Sequence, residues 1–443
     1  MEESKYRVAV VGAGPAGIFG ARELATMGAQ VVLFNRDLKP GGLAEYGIYP
    51  DKHTMKSGLR KQFRLILEMP CIEYFGNVVI GQKGDLTLDD LRALGFQAIL
   101  VTAGAQGTKW LGLPGENLEG VYRAKDVVYF YNKLPPFSQQ KFRFGRRCAV
   151  VGAGKVMLDI ARYLIREVKA EDVVAIVRRG PAEIKFDRKE LEYVAANLDL
   201  PALDTEISRV APIMQAIGQD PVAAKAVILE ALPKALPKVS ETHFRFGFLA
   251  SPVQMSGNDK NQLTTLEVED TTLVLQENGD TKARGTGNKR TIDVETVVFA
   301  IGDKVDETFG LPVEWNEYVK NPEPRFPVDG DSYEAFDPQT KKGIPDIFVA
   351  GWSRKASSGL VGYARKDGTN GAKATWGYLQ TLQPGSADTS DVAARLKKLG
   401  KPVVNNSATL SLYEAEKAEA EKRGLEEFKF TSNEEMLRAM GLS

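Results

Sequence analysis

Residues 6–17, YRVAVVGAGPAG, place an apolar, β-branched run directly before three glycines with GxGxxG spacing. Such a run is typical of a buried parallel strand. An amphipathic pattern over 15–27 predicts the helix that follows, and an apolar run over 30–34 predicts the next strand. The glycines serve a tight turn, close approach of a pyrophosphate and helix–strand packing, in the order Gly12, Gly14 and Gly17. The stretch therefore predicts a dinucleotide site at a helix N-terminus.

A second unit of the same kind begins at Arg147. Strands are predicted over 148–151 and 173–177, with a helix over 155–167 between them. The third glycine position holds Met157, and the first two positions are Gly152 and Gly154. Because NADP sites often carry a larger residue at the third position, the pattern still predicts a second dinucleotide site.

The residues after each second strand distinguish the two nucleotides. The second unit has Arg178 and Arg179 where a carboxylate would bind ribose hydroxyls. Paired guanidiniums bind a 2′-phosphate through charge-assisted forks, which favours NADP(H), although a solvated strand end is the alternative. The first unit has Asn35 where an acidic residue is expected, and its amide can hydrogen-bond a ribose hydroxyl without the charge.

Composition argues against several classes of protein. The 443 residues include 58 basic and 58 acidic side chains, so the chain is not a polycation that coats nucleic acid. Its two cysteines and two histidines argue against a CxxC redox pair, an iron–sulfur cluster and a histidine-rich metal site. No apolar run is long enough for a membrane span, and the acidic N-terminus is unlike a signal peptide, so we expect a cytoplasmic protein without a metal.

Two dinucleotide sites in one chain indicate one prosthetic and one diffusible nucleotide. This is the layout of flavoproteins in which a pyridine nucleotide reduces FAD. Two strand-to-glycine turns, within 96–105 and 295–303, occur where such chains cross between nucleotide domains. We therefore predict an α/β oxidoreductase with two Rossmann-like dinucleotide-binding domains and with FAD and NADP as cofactors.

With these motifs in place, residues 5–383 resemble the adrenodoxin reductase family, the ferredoxin–NADP reductases of adrenodoxin-reductase type. The matching segments are 42–51, 74–78, 113–116, 120–122, 177–191, 244–252 and 351–359. Related glutamate synthase small subunits and disulfide reductases usually have Gly-Asp where this chain has Gly351 and Trp352. The tryptophan therefore indicates the ferredoxin-reductase branch.

The resemblance implies a domain layout and a set of site residues. The FAD domain would comprise 1–108 and 325–383, the NADP domain 109–324, and a helical extension 384–443. FAD would contact Gly12, Gly14, Pro15, Ala16, Gly17, Asn35, Gly42, Leu43, Gly104, Gly351, Trp352, Gly359, Leu360 and Val361. NADP would contact Gly152, Gly154, Lys155, Val156, Arg178, Arg179, Trp352 and Gly359. Backbone N–H groups near Leu43 and Gly359 would bind the isoalloxazine, and Trp352 would border the nicotinamide.

Three departures from the family pattern affect these sites. The flavin loop has Lys52 before His53 where the family has histidine, and either residue, with Trp352, is a candidate for a catalytic role. Lys155 replaces an asparagine, and Ala356 with Ser357 replaces Gly-Pro. We expect a divergent member of the family with an adjusted flavin environment or partner.

The implied activity is electron transfer from NADPH through FAD to a small iron–sulfur protein. The main alternative is the NADPH-dehydrogenase subunit of a complex resembling glutamate synthase; a disulfide reductase, a flavin monooxygenase and a non-enzymatic binding protein are weaker alternatives. Ferredoxins are commonly acidic, so a local basic face is expected to dock one. The candidate is the helical face with Lys56, Arg60, Lys61 and Arg64, and the second choice is the set Lys141, Arg143, Arg146 and Arg147.

Overall fold

The computed structural model describes residues 6–107, 109–357, 359–386 and 388–442. The β-strands are β1 (Tyr6–Val11), β2 (Ala29–Asn35), β3 (Ile72–Gly76), β4 (Ala98–Val101), β5 (Val121–Arg123), β6 (Arg147–Val151), β7 (Asp172–Val177), β8 (His243–Phe248), β9 (Ala250–Gly257), β10 (Leu263–Leu275), β11 (Thr281–Asp293), β12 (Thr296–Phe299), β13 (Val313–Glu314), β14 (Glu317–Tyr318), β15 (Glu334–Asp337) and β16 (Lys342–Val349).

The α-helices of the described residues are α1 (Pro15–Thr26), α2 (Leu43–Tyr46), α3 (His53–Leu67), α4 (Leu88–Ala93), α5 (Ala124–Tyr131), α6 (Lys155–Tyr163), α7 (Arg188–Leu191), α8 (Leu200–Ala216), α9 (Pro221–Leu229), α10 (Val361–Leu379), α11 (Ser390–Lys397), α12 (Asn406–Arg423) and α13 (Asn433–Ala439). Short 3₁₀ turns cover Phe137–Gln139, Pro181–Glu183, Ala195–Asn197, Leu232–Lys234 and Gly351–Ser353, and Leu164–Val168 is a π-helical turn. Within the described ranges, no helix is long and apolar enough to cross a membrane.

The first compact unit comprises Met1–Lys109, Tyr129–Gln139 and Gly302–Ser443. Its sheet has the strand order β15–β16–β4–β1–β2–β3, and every strand is parallel to its neighbours except β15. The two strands predicted from the first glycine motif are central neighbours, with Val8 opposite Val31. The strand–helix–strand unit expected from the sequence therefore forms the centre of this sheet.

Alternate side chains of the central strands enter two different hydrophobic cores. Val8 and Val10 of β1 pack in a core with residues of α1, α3, α10, α12 and α13. Ala9 and Val11 pack in the other core, with residues of α4, α11 and the β13–β14 hairpin. Because both faces of the sheet are covered, the inner stretches of its central strands, 8–11 and 31–34, are apolar at successive positions, as parallel strands usually are.

The C-terminal segment is an integral part of the first unit. Val392 and Leu396 of α11 are buried in one core, whereas Leu412 of α12 and Met436 of α13 are buried in the other. The expected helical extension thus packs on both faces of the sheet. Its longest helix, α12, buries one face against the unit and exposes the charged opposite face.

The second compact unit comprises Trp110–Val128 and Gln140–Ile301. Its parallel sheet has the order β5–β12–β6–β7–β8, and β9, β10 and β11 form a separate antiparallel sheet. Met255 and Leu266 of the antiparallel sheet share a core with Ala149 and Ile176 of the parallel one. Two helices, α8 and α9, lie between β7 and β8 in the chain.

The α/β class with two Rossmann-like domains is confirmed. The compact units group some residues differently from the expected domains, because 129–139 and 302–324 associate with the first unit. Residues 384–443 also belong to that unit rather than standing apart. The predicted strands 30–34, 148–151 and 173–177 lie within β2, β6 and β7, which are one or two residues longer. The run 96–105 contains β4 and then a glycine-containing loop.

Leu412→Ala should lower the free energy of unfolding by about 2–5 kcal/mol, because its side chain is fully buried and the deletion leaves a cavity. Thermal unfolding followed by circular dichroism would measure the loss. Leu425→Ala is the matched control in the same segment, since half of that side chain is exposed, and a change within about 0.5 kcal/mol is expected. Equal effects of the two variants would contradict an integral C-terminal segment.

Candidate functional site

Two glycine-led helices begin without the side-chain caps found elsewhere in the chain. The N-termini of α8 and α9 are capped by Asp199 and Asp220, whose carboxylates accept backbone N–H groups. By contrast, α1 and α6 follow Gly14 and Gly154, with no side-chain cap and no acidic residue in the first turn. Their first N–H groups and the positive ends of their dipoles are therefore available to an anion.

The first site is built by close backbone packing around the β1–α1 turn. Gly12 has φ +109°, and a Cβ there would lie 2.5 Å from the carbonyl oxygen of Thr102. A Cβ on Gly17 would lie 1.9 Å from the carbonyl oxygen of Gly12. A Cβ on Gly14 would meet no protein atom within 4 Å. The first and third glycines are thus required by the fold, whereas the second leaves open space where a pyrophosphate is expected.

The segment after β2 returns to this open space. Gly42 has φ +49°, and a Cβ there would lie 3.0 Å from the Cα of Gly14. The N–H of Gly41 donates to the carbonyl of Ala13 over 2.7 Å, and Leu43 then begins α2. The structure therefore brings the predicted flavin loop against the glycine turn, as the resemblance implied.

A buried aspartate that the sequence analysis did not identify holds the Gly351–Ser353 turn. Asp367 accepts the N–H of Gly351 over 2.6 Å and pairs with Arg354 over 2.6 Å. Ser353 accepts the N–H of Gly104 over 3.0 Å, which joins the ends of β4 and β16. No sequence pattern marks Asp367, because its partners lie 13 and 16 residues away and meet it only in the fold.

The start of α10 adds a further uncapped helix N-terminus to the first unit. Gly359 has φ +74°, Leu360 is 65% exposed, and Val361 begins the helix. Trp352 lies half-buried in the preceding turn. Ser358 of the predicted flavin-closing motif lies outside the described residues. Trp352 and Gly359 both belong to the first unit, and their assigned contacts with nucleotides stay predictions.

Asn35 occupies a different environment from the one expected. Its buried side-chain oxygen accepts the N–H of Ala13 over 3.2 Å, while its side-chain nitrogen donates to the carbonyls of Asp37 and Lys39. These bonds fix the loop after β2 and direct the amide toward protein rather than ribose. A ribose contact of Asn35 stays a prediction that this geometry does not favour.

Lys52 and His53, where the flavin loop differs from the family pattern, lie at the start of α3. Lys52 is the N-cap residue, and His53 is the first residue of the helix. The imidazole Nε2 of His53 is 3.0 Å from a carboxylate oxygen of Glu426, in the C-terminal segment. The histidine is therefore held by a partner that was not visible in the sequence, and its catalytic role stays a prediction.

The second site repeats the geometry of the first in the second unit. Gly152 has φ +149°, and a Cβ there would lie 2.4 Å from the carbonyl oxygen of Ala300. A Cβ on Gly154 would meet no protein atom within 4 Å. Val156 is exposed beside this opening, whereas Met157 at the third glycine position is fully buried. Met157 therefore acts as a core residue, which explains why this fingerprint tolerates the missing glycine.

The three cations predicted for the second site differ in their partners. The Nζ of Lys155 lies 3.0 Å from carboxylate oxygens of both Asp187 and Glu190. The Nε of Arg179 lies 3.5 Å from the carboxylate of Glu183, and Arg178 is exposed. Lys155 and Arg179 thus lie beside carboxylates, and Arg178, directly after β7, is the most exposed of the three cations.

The basic face predicted on α3 is wrong as a free surface. Lys56 is 1% exposed and pairs with Glu427 over 3.1 Å. Arg60 pairs with Glu45 and Glu427, both at 2.6 Å. The pattern identified one helix face, but the C-terminal segment covers half of it. Within the set, Lys61 and Arg64 remain exposed.

The second-choice basic set is also engaged with acidic groups in the second unit. Arg143 lies 3.5 Å from Glu119, and Arg146 pairs with Glu171. Arg147 lies 3.4 Å from Asp293. These exposed pairs reduce the net positive charge of that surface.

Metal and thiol chemistry have no built site in the part of the chain described here. No group of three or more metal-ligating side chains occurs among these residues. Cys71 and Cys148 are free thiols, and burial raises the pKa of Cys148 to about 12. Each unit instead has a helix N-terminus after its glycine turn that can bind an anion. Such a site fits the diphosphate of a dinucleotide.

Comparison with known proteins gives one family and a consistent set of relatives. Residues 6–199 match the family described as pyridine nucleotide-disulphide oxidoreductase. The chain is 28% identical to the NADPH-ferredoxin reductase FprA of Mycobacterium tuberculosis, over 98% of both chains. It is 30% identical to the mitochondrial NADPH:adrenodoxin oxidoreductase of Arabidopsis thaliana, over 80% of this chain and 78% of the relative.

A solved structure supports the same relationship. The fold is similar to that of M. tuberculosis FprA in complex with NADPH, with a TM-score of 0.81 at 25% identity over 98% of this chain and 99% of that one. Because these matches cover 98% of this chain, the similarity extends well past residue 383, where the sequence resemblance was expected to end.

Gly14→Val should abolish flavin binding and leave the fold intact. The added side chain meets no protein atom near its Cβ but occupies the space expected for the pyrophosphate. Visible absorbance of the purified protein would measure bound flavin, and circular dichroism would report the fold. Gly17→Val is the contrasting variant, because its Cβ collides with Gly12 and should also destabilise the unit. A yellow Gly14→Val protein with normal flavin content would contradict this site.

Proposed function

The chain belongs to the family of adrenodoxin-reductase-type NADPH oxidoreductases, and we propose that it transfers electrons between NADPH and a small iron–sulfur protein. The observation that carries the proposal is a pair of glycine-led, uncapped helix N-termini, one in each Rossmann-like unit. A relative matched over 98% of this chain is named NADPH-ferredoxin reductase, and one matched over 80% is named NADPH:adrenodoxin oxidoreductase. These names favour electron transfer over the alternative of a glutamate-synthase-type subunit.

FAD is assigned to the first unit and NADP to the second. The first unit joins the glycine turn, the Gly42 loop and the Gly351–Ser353 turn, which are the parts expected around a flavin. The second unit carries Arg178 and Arg179 at the end of β7, where a 2′-phosphate is expected. Bound FAD supplies the redox chemistry, accepting an electron pair from NADPH and delivering electrons singly.

The protein residues in this proposal bind and orient the cofactors. The α1 N-terminus with Gly14 holds the FAD diphosphate, and Asp367 keeps the Gly351–Ser353 turn in place through two hydrogen-bonding partners. In the second unit, the α6 N-terminus with Gly154 holds the NADP diphosphate. No side-chain nucleophile is required, which agrees with the two unpaired cysteines of the chain. Trp352, His53 and Lys52 keep their proposed positions near the flavin.

A cytoplasmic location remains part of this proposal. The chain's two cysteines, both free thiols, agree with a reducing compartment, while a relative from Arabidopsis thaliana is named as mitochondrial. Fractionation of the source cell, followed by detection of the protein, tests the location directly.

Arg178→Ala/Arg179→Ala should weaken NADPH binding by roughly two to four powers of ten. Each lost hydrogen bond to a charged group is worth about 1.5–3 kcal/mol, and about 1.4 kcal/mol corresponds to a factor of ten. NADH binding should hardly change, because NADH lacks the 2′-phosphate. Steady-state reduction of ferricyanide with each nucleotide measures both effects, and Arg188→Ala is an exposed control in the same unit. Equal weakening of both nucleotides would rule out a 2′-phosphate site.

Lys61→Glu/Arg64→Glu should slow reduction of an acidic ferredoxin by roughly 3- to 10-fold at low ionic strength, because exposed charges steer association. The effect should fade as salt rises, while NADPH-to-ferricyanide turnover stays unchanged. Coupled cytochrome reduction in stopped flow measures the rate. Lys417→Glu/Lys422→Glu, an exposed reversal on α12, is the matched control. Equal slowing by both reversals would place the docking surface elsewhere.

A further inference from the structure

The C-terminal segment crosses the flavin loop and forms a buried ionic cluster with it. Lys429 donates to the carbonyl of Glu45 over 2.8 Å and lies 3.1 Å from that residue's carboxylate. Lys39 lies 3.0 Å from the same carboxylate and 2.6 Å from Glu416 of α12. The cluster therefore connects residues before α2, residues of α2 and the end of the chain. We call it the Glu45 cluster; its members are Lys39, Glu45, Lys56, Arg60, Glu416, Glu427 and Lys429.

The Glu45 cluster contains one more cation than carboxylates. Four of its members are basic and three are acidic, and their side chains are between 0 and 24% exposed. Burial opposes ionisation of Glu45, yet the charges of Lys39, Lys429 and Arg60 hold its pKa well below the ordinary value. A buried excess charge costs stability, and such groups are concentrated at functional sites.

Lys429 is the member that carries this cost. Burial, followed by the charges of Lys39 and Lys56, lowers the pKa of Lys429 to about 8, against the opposing effect of Glu45 and Glu427. The unfolded chain keeps the Lys429 proton to a higher pH than the folded chain does. The buried charge therefore lowers the free energy of unfolding near neutral pH, and this loss is progressively recovered as the pH rises above about 8. The charge is therefore not retained for stability.

The position of the cluster indicates what the charge serves. Glu45 lies in α2, which begins directly after Gly42, and Gly42 approaches the Gly14 turn where the cofactor diphosphate is expected. The diphosphate and the reduced flavin are anionic. We propose that Lys429 is a positioning residue for FAD, which fixes the α2 loop through the Glu45 carbonyl and supplies the excess positive charge beside the cofactor. This inference rests on the proposed function only in placing FAD in the first unit.

Proton linkage follows from this arrangement. An anion bound beside Lys429 favours its protonated form, so FAD binding should take up a proton above about pH 8 and should weaken as pH rises. The charged or titratable groups that face Lys429 come from several elements. They are Lys39 before α2, Glu45 and Tyr46 in α2, Lys56 in α3 and Glu427 in its own segment. Arg60 of α3 and Tyr413 and Glu416 of α12 contact these groups rather than Lys429 itself.

FAD dissociation from the holoenzyme, followed by the fluorescence of released FAD between about pH 7 and pH 9.5, tests the proposal. For the wild-type protein, affinity should fall by up to about tenfold per pH unit above pH 8. Lys429→Met should bind FAD about tenfold more weakly at pH 7 and show no further fall. Lys429→Arg should keep tight binding up to pH 9.5, because a guanidinium stays charged. Lys417→Met, on the exposed face of α12, is the control and should follow the wild type.

The outcomes distinguish this inference from the proposed function. Wild-type affinity and pH profile in both Lys429 variants would overturn it, and so would a fall with pH that persists in Lys429→Arg. Thermal unfolding of Lys429→Met supports it if the midpoint is unchanged or higher, since the remaining cluster is balanced in charge. A holoenzyme with the expected FAD profile that reduces ferricyanide but no ferredoxin would reject the proposed partner and leave the role of Lys429 standing.

Discussion

The first unit depends on the close approach of α1 to the strand–turn segment that precedes it. Gly17 lies so near the carbonyl of Gly12 that no side chain can be accommodated, and Gly368 of α10 meets the backbone of Ala16 in the same way. The β1–α1 turn, α1 and α10 are therefore packed backbone to backbone. This packing aims the N-terminus of α1 at the Gly42 loop and leaves Gly14 as the open position between them. The cofactor site is a consequence of how tightly the surrounding backbone is packed.

The Glu45 cluster adds a second, electrostatic constraint to the same region. Its carboxylates and cations come from the loop after β2, from α2 and α3, and from α12 and the residues that follow it. Removing one of its carboxylates would leave further cations uncompensated, and breaking a buried ionic group in this way typically costs about 3–5 kcal/mol. These ion pairs thus hold the C-terminal segment against the flavin loop more strongly than its partly exposed, Ala- and Glu-rich helix α12 suggests. This also explains why, of the basic face of α3, only Lys61 and Arg64 stay exposed.

Local pattern predicted the parts of the structure that local physics determines. The two strand–glycine–helix units, with Gly12, Gly17 and Gly152 in left-handed or sterically closed positions, followed from spacing and residue type. The roles of Asp367, Glu45 and Glu427 did not, because each contacts groups far away in the sequence. Charge periodicity on α3 identified a real helix face but not its neutralisation by carboxylates more than 350 residues later. Likewise, the sequence did not show why Met157 can replace the third glycine of the second unit. Its burial in the structure explains the replacement.

The order of strands along the chain has a consequence for synthesis on the ribosome. All strands of the second unit lie between Val121 and Phe299. Its two sheets can therefore assemble once that stretch has left the ribosome. The sheet of the first unit begins with β1 but lacks β16 until residue 349, and its cores lack α12 and α13 until the chain is nearly finished. Domains generally fold as units, from the N-terminal side onward. Until β16 has been synthesised, β4 has no partner on one side and presents an unpaired strand edge. The half of the molecule that starts first is therefore completed last.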